Sequence, residues 1–185
     1  MKNFRLAAVA TAMAALLVSG CETTNSIPYK ASTSNIITIQ QSLGATGKKV
    51  TLGTVAMAPG VEESPLCRLM GPVKVAPGKT PAEYIKDAFQ EELFTAQVYS
   101  PSAPTVIDVT ITELSFSSVA PASWTIAAQV KSNTSAGFDV KTTYEFNTSF
   151  SAYSACKNVA DAFGPAVQEF LKQVVSNPGF VKLAQ

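Results

Sequence analysis

TVIDVTITELSFS (Thr105–Ser117), SWTIAAQVK (Ser123–Lys131) and GFDVKTTYEFNTSF (Gly137–Phe150) follow one another closely, and each alternates apolar with polar residues. A two-residue period sends successive side chains to opposite faces of a strand, so each stretch predicts a half-buried strand. In the second, Trp124, Ile126, Ala128 and Val130 share a face. In the third, Phe138, Val140, Tyr144, Phe146 and Phe150 share one, with Asp139, Lys141, Thr143, Glu145 and Asn147 opposite. The first stretch changes phase: Ile107, Val109 and Ile111 sit at odd positions, Leu114 and Phe116 at even ones. Both sets can face inward only if a bulge near Thr112 or Glu113 absorbs one residue. Asn133–Gly137 is short and rich in turn residues, and predicts a hairpin between the last two strands.

A sheet with one apolar face needs a cover, and two stretches supply it. Thr80-Pro81-Ala82-Glu83 is a capping box with proline at the first helical position, where its missing N–H costs nothing. Ile85, Ala88, Phe89, Leu93 and Ala96 follow at helical spacing, while the adjacent acids Glu91 and Glu92 are read as part of the solvated face. From Ser154 onward Val159, Ala162, Phe163, Ala166, Val167, Phe170, Leu171 and Val174 make a second, wider stripe, ended by Asn177-Pro178-Gly179. Pro165 lies inside it and predicts a kink or a division. Upstream, Lys49–Met57 reads as a strand, Ile36–Ile39 as an edge strand or a docked segment, and Gly60–Lys79 as a long loop. The fold class expected is α+β, a two-layer sandwich of a mostly antiparallel sheet with two helices packed on one face.

The N-terminus carries an address. Lys2 and Arg5 precede an apolar run from Leu6 to Val18, too short to span a bilayer, and Val18-Ser19-Gly20-Cys21 then matches a bacterial lipobox. Residues 1–20 are thus expected to be a lipoprotein signal peptide, with lipidation at Cys21. Triacylation would hold the chain firmly on a membrane surface. Glu22 stands where aspartate commonly retains such proteins in the inner membrane, so the expected location is the outer membrane, with the domain facing the periplasm. The polar ETTNSIPYKASTSN (Glu22–Asn35) predicts a flexible tether over 21–35, followed by a single α+β periplasmic domain over 36–185.

Composition removes several classes of function. The 185 residues hold 14 basic and 13 acidic side chains, a balance that recruits neither nucleic acid nor acidic lipid. Histidine is absent, so histidine-dependent triads are excluded and the commonest metal ligand is missing. No G-x-S-x-G elbow and no phosphate-cradling loop occurs. No cofactor, metal or catalytic residue is expected. Besides Cys21 the chain has Cys67 and Cys156, most simply read as a disulfide in a periplasmic protein, with two buried free thiols or a redox-active pair as the competing readings. Such a bridge would tie the long loop to the start of the closing helix. The aromatic row with Trp124 could line a lipid or sugar pocket, although core packing against the helices explains it more simply.

The helix PAEYIKDAFQEELFTAQVYSPSAP (Pro81–Pro104) running into TVIDVTITELSF, and the closing ACKNVADAFGPAVQEFLKQVVSNPGFVKL (Ala155–Leu183) with its Asn158–Ala162 segment, resemble the YajG family of small bacterial envelope lipoproteins. More loosely, the strand order is similar to that of LpoB-type accessory lipoproteins. The resemblance implies a lipid-anchored, non-enzymatic binding or assembly module; the alternative is a periplasmic carrier of lipid or a small ligand. Its partners would be the membrane, through the N-terminal anchor, and an envelope protein. Loops carry recognition more often than the scaffold that positions them. The expected recognition surface is therefore Gly60–Lys79 beside the helix beginning at Thr80, with Arg68, Met70, Lys74 and Lys79 as contacts, supported by Leu66, Leu69, Val73 and Val75.

Overall fold

The computed structural model describes residues 23–24 and 27–185. The signal peptide expected over 1–20 and the lipidation site Cys21 lie outside the described residues. In chain order the elements are β1 (Thr23–Thr24), α1 (Thr33–Ser42), β2 (Val50–Met57), β3 (Val73–Lys74), α2 (Pro81–Thr95), β4 (Thr105–Ser117), β5 (Ala122–Ser132), β6 (Phe138–Phe146) and α3 (Ala152–Ser176). Short 3-10 turns follow α1 and α3, at Gly44–Thr46 and Val181–Ala184.

The main sheet has the order β2-β4-β5-β6. β4, β5 and β6 form an antiparallel meander, and β2 joins its edge in parallel through α2, a βαβ unit. The phase change in β4 is accommodated as the alternation requires. Its register with β5 shifts between Ile111 and Glu113, so Ile107, Val109, Ile111 and Leu114 are all buried. A second irregularity lies in β2 between Leu52 and Val55. There Gly53 leaves room for the Asp108 carboxylate, which accepts from the Thr54 amide at 2.8 Å; a Cβ on residue 53 would stand 2.4 Å from Asp108 Oδ1. The hairpin at 133–137 ends on Gly137, whose φ of 82° and proximity to the Val130 carbonyl admit only glycine.

The helices cover one face of this sheet, giving the α+β sandwich. Thr80 caps α2 with both bonds of the capping box, and Ser151 caps α3. α2 lies on β2, and α3 lies on β5 and β6. Trp124 fixes the second contact: its indole Nε1 donates to the Val159 carbonyl at 2.8 Å, and its ring meets Phe116 and Phe163 edge-on, with centroids 5.0 Å away in both cases. Trp124 is thereby used in the core, whereas half-buried Tyr144 and Phe146 of the same row border an open hollow of about 530 Å³ with Asn147, Asn158 and Asp161.

Four expectations need correction. Of the two readings of Ile36–Ile39, the edge strand does not form and the docked segment does. These residues belong to α1, capped by Ser32, which packs against α2 and α3 as a third member of the helix layer. Buried Ile39 and Leu43 explain why: they belong to a helical stripe that completes the core. The tether expected over 21–35 ends earlier than that boundary, since Thr33–Asn35 already form the first turn of α1 and Asn35 is buried. Pro165 does not divide the last helix, which runs unbroken over 25 residues because neighbouring turns and burial on the sheet hold it across the missing bond. Phe150, placed with the inner face of β6, lies past that strand's end at Phe146 and is fully exposed.

Candidate functional site

After β2 the chain crosses the end of the sandwich and returns through β3 to α2. Its midpoint is pinned by the Cys67–Cys156 disulfide, with Cα atoms 5.8 Å apart, both residues buried and Cys156 in the second turn of α3. Cys67, Arg68, Leu69, Met70 and Gly71 then make a tight reversal: the Met70 amide donates to the Cys67 carbonyl at 2.7 Å, and the Cys67 amide to the Gly71 carbonyl at 3.0 Å. The turn is so tight that Arg68 and Leu69 both adopt left-handed backbone, with φ of 44° and 60°, a region that costs a non-glycine residue about 1–2 kcal/mol.

Arg68 is half-buried, with its guanidinium engaged inside the fold. Its Nε donates to Ser118 Oγ at 2.9 Å, Nη1 to the Ser149 and Phe150 carbonyls at 3.2 and 3.4 Å, and Nη2 to the Ser118 carbonyl. One guanidinium thus ties three separated segments together: the 66–71 turn, the β4–β5 connection and the approach to α3. Thr148 Oγ1 donates to the same Ser118 carbonyl at 2.6 Å. Around this hub stand exposed apolar side chains, with Leu69 and Phe150 fully open to solvent and Leu66, Val119 and Tyr153 mostly so. Between Val119 and Phe150 is a hollow of about 440 Å³, lined also by Arg68, Ala120, Thr148 and Ser149.

The four residues expected to share a recognition surface divide into two groups. Arg68 and half-buried Met70 belong to this apolar end, whereas Lys74 and Lys79 line a groove further along the loop. That groove, about 530 Å³, runs past Ser64 and residues 73–81. A neighbouring hollow of about 450 Å³, walled by Tyr29, Pro77, Lys79, Tyr84, Asp87 and Glu91, adjoins it. Lys79 pairs with Asp87 at 2.6 Å across the junction. Val73 and Val75 are not surface contacts: each is 2 % exposed, and Val73 belongs to β3, which pairs in parallel with β1. Their burial is what holds the groove wall in place.

Glu92 is the residue that pattern reading misplaced. Glu91 is exposed as expected, but Glu92 is completely buried where α1 and the segment leading into it cross α2. Its Oε1 accepts from Tyr29 Oη at 2.7 Å and from the Ser32 amide at 2.9 Å; Asn35 Nδ2 lies 3.1–3.2 Å from both carboxylate oxygens and also donates to the Gln168 carbonyl. Burial raises the carboxyl above its ordinary range, and the repulsion of Glu91 adds to this. The donors from Ser32, Tyr29 and Asn35 pull the other way. Tyr29 is itself pushed well above the ordinary phenol value, by burial first and then by the Glu92 charge, so it stays a proton donor. The signal was present in the spacing: Glu92 continues the series Ile85, Ala88, Phe89 and precedes Leu93, inside the apolar stripe.

Among the described residues no group of three or more acidic or cysteine side chains could hold a metal ion. Tyr84 Oη and Thr142 Oγ1 are buried without a hydrogen-bond partner.

No family model matches the chain, and no curated protein matches it. Among solved structures it is similar to XCC0632 from Xanthomonas campestris, a protein of family DUF330. The likeness is 10% identity over 69% of this chain and 84% of that one, with a TM-score of 0.43, too slight to carry an argument.

Proposed function

We propose that the chain is a lipid-anchored envelope lipoprotein of YajG-like type, held by Cys21 on the periplasmic face of the outer membrane and acting as a non-enzymatic binding or assembly module. The observation that carries this reading is the bracing of the 60–79 loop. It is tied by a disulfide at Cys67, by β1–β3 pairing at Val73–Lys74 and by the Lys79–Asp87 ion pair, leaving an open groove along residues 73–81. A pre-ordered loop spends little of its interaction energy on immobilisation, which suits recognition of a folded partner. The carrier alternative loses Trp124, whose ring packs against Phe116 and Phe163 under α3, and would have to rely on the open hollow beside Tyr144 and Phe146.

Two measurements test this reading. Cys21→Ala is expected to accumulate as unprocessed precursor that incorporates no labelled fatty acid; cleavage and labelling of the variant would remove the anchor. Photo-cross-linkers at Lys74 and Gly78, in the native cell, are expected to capture one envelope protein, whereas a cross-linker at Lys141 on the outer face of β6 captures none. Equal capture from both faces, or co-purified lipid in native mass spectra with no protein adduct, would favour the carrier.

A further inference from the structure

We infer that the apolar end of the sandwich, formed by Leu66, Leu69, Val119, Phe150 and Tyr153, is a second membrane contact that seats the domain on the bilayer surface holding its lipid anchor. The inference rests on the reading of Cys21 as lipidated. Eight large apolar side chains are exposed among the described residues; these five come from three segments gathered at one end, and only Ile27, Ile37 and Phe94 lie elsewhere.

Leu69 is the most informative of them. A leucine with φ of 60° bears backbone strain, and a fully exposed one returns nothing in packing, so the fold alone has no use for it. Glycine would make the same turn without strain. Phe150 is likewise fully exposed, in a segment whose backbone carbonyls are held by Arg68. The architecture thus holds two bare apolar side chains rigidly outward. Tyr153, an apolar ring with a polar tip, is the type of residue that settles at a membrane–water interface.

The path of the N-terminal chain selects the bilayer as the occupant. Residues 27–30 run along the middle of α3, where Tyr29 and Lys30 share a small cavity with Asp161, Gly164 and Gln168, and the Gln168 amide donates to the Lys30 carbonyl. Followed back toward the N-terminus, the chain reaches β1, where Thr23 pairs with Val73. The Val73 amide donates to the Pro65 carbonyl, next to Leu66. Cys21 precedes Thr23 by two residues, a reach of roughly 7 Å at full extension. A lipid on Cys21 would therefore be tethered two residues from β1, whose partner Val73 bonds to Pro65 beside Leu66. Arg68, the one charged residue in the hollow, is engaged by Ser118, Ser149 and Phe150, so the contact works by apolar insertion and is expected to be insensitive to salt.

The test uses the full lipidated protein in phosphatidylethanolamine–phosphatidylglycerol vesicles brominated on the acyl chains. Phe150→Trp reports from the apolar end, and Ala136→Trp from the hairpin at the other end of β5; buried Trp124 is a common background. Bromolipid is expected to quench the Phe150→Trp protein severalfold more than the Ala136→Trp protein. Adding Leu69→Gly should reduce that quenching without lowering the melting temperature, since glycine relieves the strain at this φ. Vesicle flotation with equal or absent quenching at the two positions overturns the seat while leaving the anchor intact. If a second copy or another protein covers the face instead, Phe150→Trp emission is already blue-shifted before vesicles are added and does not respond to bromolipid, which also overturns it. Lipidation is read separately from the intact mass. Unacylated protein that is still quenched at Phe150→Trp keeps the seat and removes only the anchor, and unacylated protein with no quenching overturns both.

Discussion

Reducing the Cys67–Cys156 bridge, or replacing both cysteines with alanine, is expected to lower the unfolding free energy by roughly 3–5 kcal/mol, a fall in Tm of about 10–15 °C for a chain of this size. The bridge spans 89 residues, and closing a loop of that length removes about 4.5 kcal/mol of chain entropy from the unfolded state. Native packing should survive the loss, because Cys67 and Cys156 are buried in the main core cluster and Arg68 independently ties the same turn to Ser118 and Ser149. The reduced protein is thus expected to be folded at room temperature, with a lower urea midpoint and faster proteolysis confined to residues near 60–72. An unchanged midpoint would mean that the arginine hub and β1–β3 pairing hold the loop without the disulfide. Collapse of the whole spectrum on reduction would mean that the bridge shapes the native core itself.

Glu92→Ala is expected to cost about 2–4 kcal/mol, the usual consequence of leaving buried donors without their acceptor. Tyr29 Oη, the Ser32 amide and the Asn35 side chain would each lose an acceptor in a place closed to water. Damage should be local before it is global: amide exchange over 27–42 should rise while β4 and β5 stay protected. Glu92→Gln keeps an acceptor for Tyr29 and Ser32 but turns an amide toward Asn35, so it should recover only part of the loss. The pH dependence has a definite sign. The folded carboxyl titrates above its unfolded value, so its contribution is fully present below the ordinary carboxylate pKa of about 4.3 and is lost as pH rises through the raised folded pKa. Wild type should therefore lose stability across that window relative to Glu92→Gln. Parallel pH profiles for the two proteins would show that the carboxyl titrates alike in folded and unfolded chains.

Local rules reached far along this chain because its sheet is half wet. Alternation in 105–150 required three strands, and the phase slip from Ile111 to Leu114 required a bulge; both follow from side chains having to reach one core. The capping box at Thr80 and the stripe from Val159 to Val174 placed two helices for the same reason. Cys67 and Cys156 were the two cysteines left for a bridge that an oxidising compartment would favour. Ile36–Ile39 stayed open between an edge strand and a docked segment because four β-prone residues fit a strand when taken alone; only the place beside α2 and α3 turns them into a docked helix.

What the sequence determined by itself is therefore the layer order, the strand phases and the resources of the surface: no histidine, one arginine within the long loop, and the cysteine pair. What only the tertiary structure decided is how distant residues spend those resources. Arg68 became a hub because its acceptors arrive from Ser118, Ser149 and Phe150, some 50 to 82 residues away. Glu92 became a buried lock because Tyr29, Ser32 and Asn35, about 60 residues upstream, fold over it. Leu66, Leu69 and Phe150 formed one apolar face because a disulfide and an arginine gathered three loops at the same end. Periodicity reports how a segment meets its own sheet or helix layer; it carries no information about partners brought in by chain closure, and both buried polar satisfaction and loop clustering are set there.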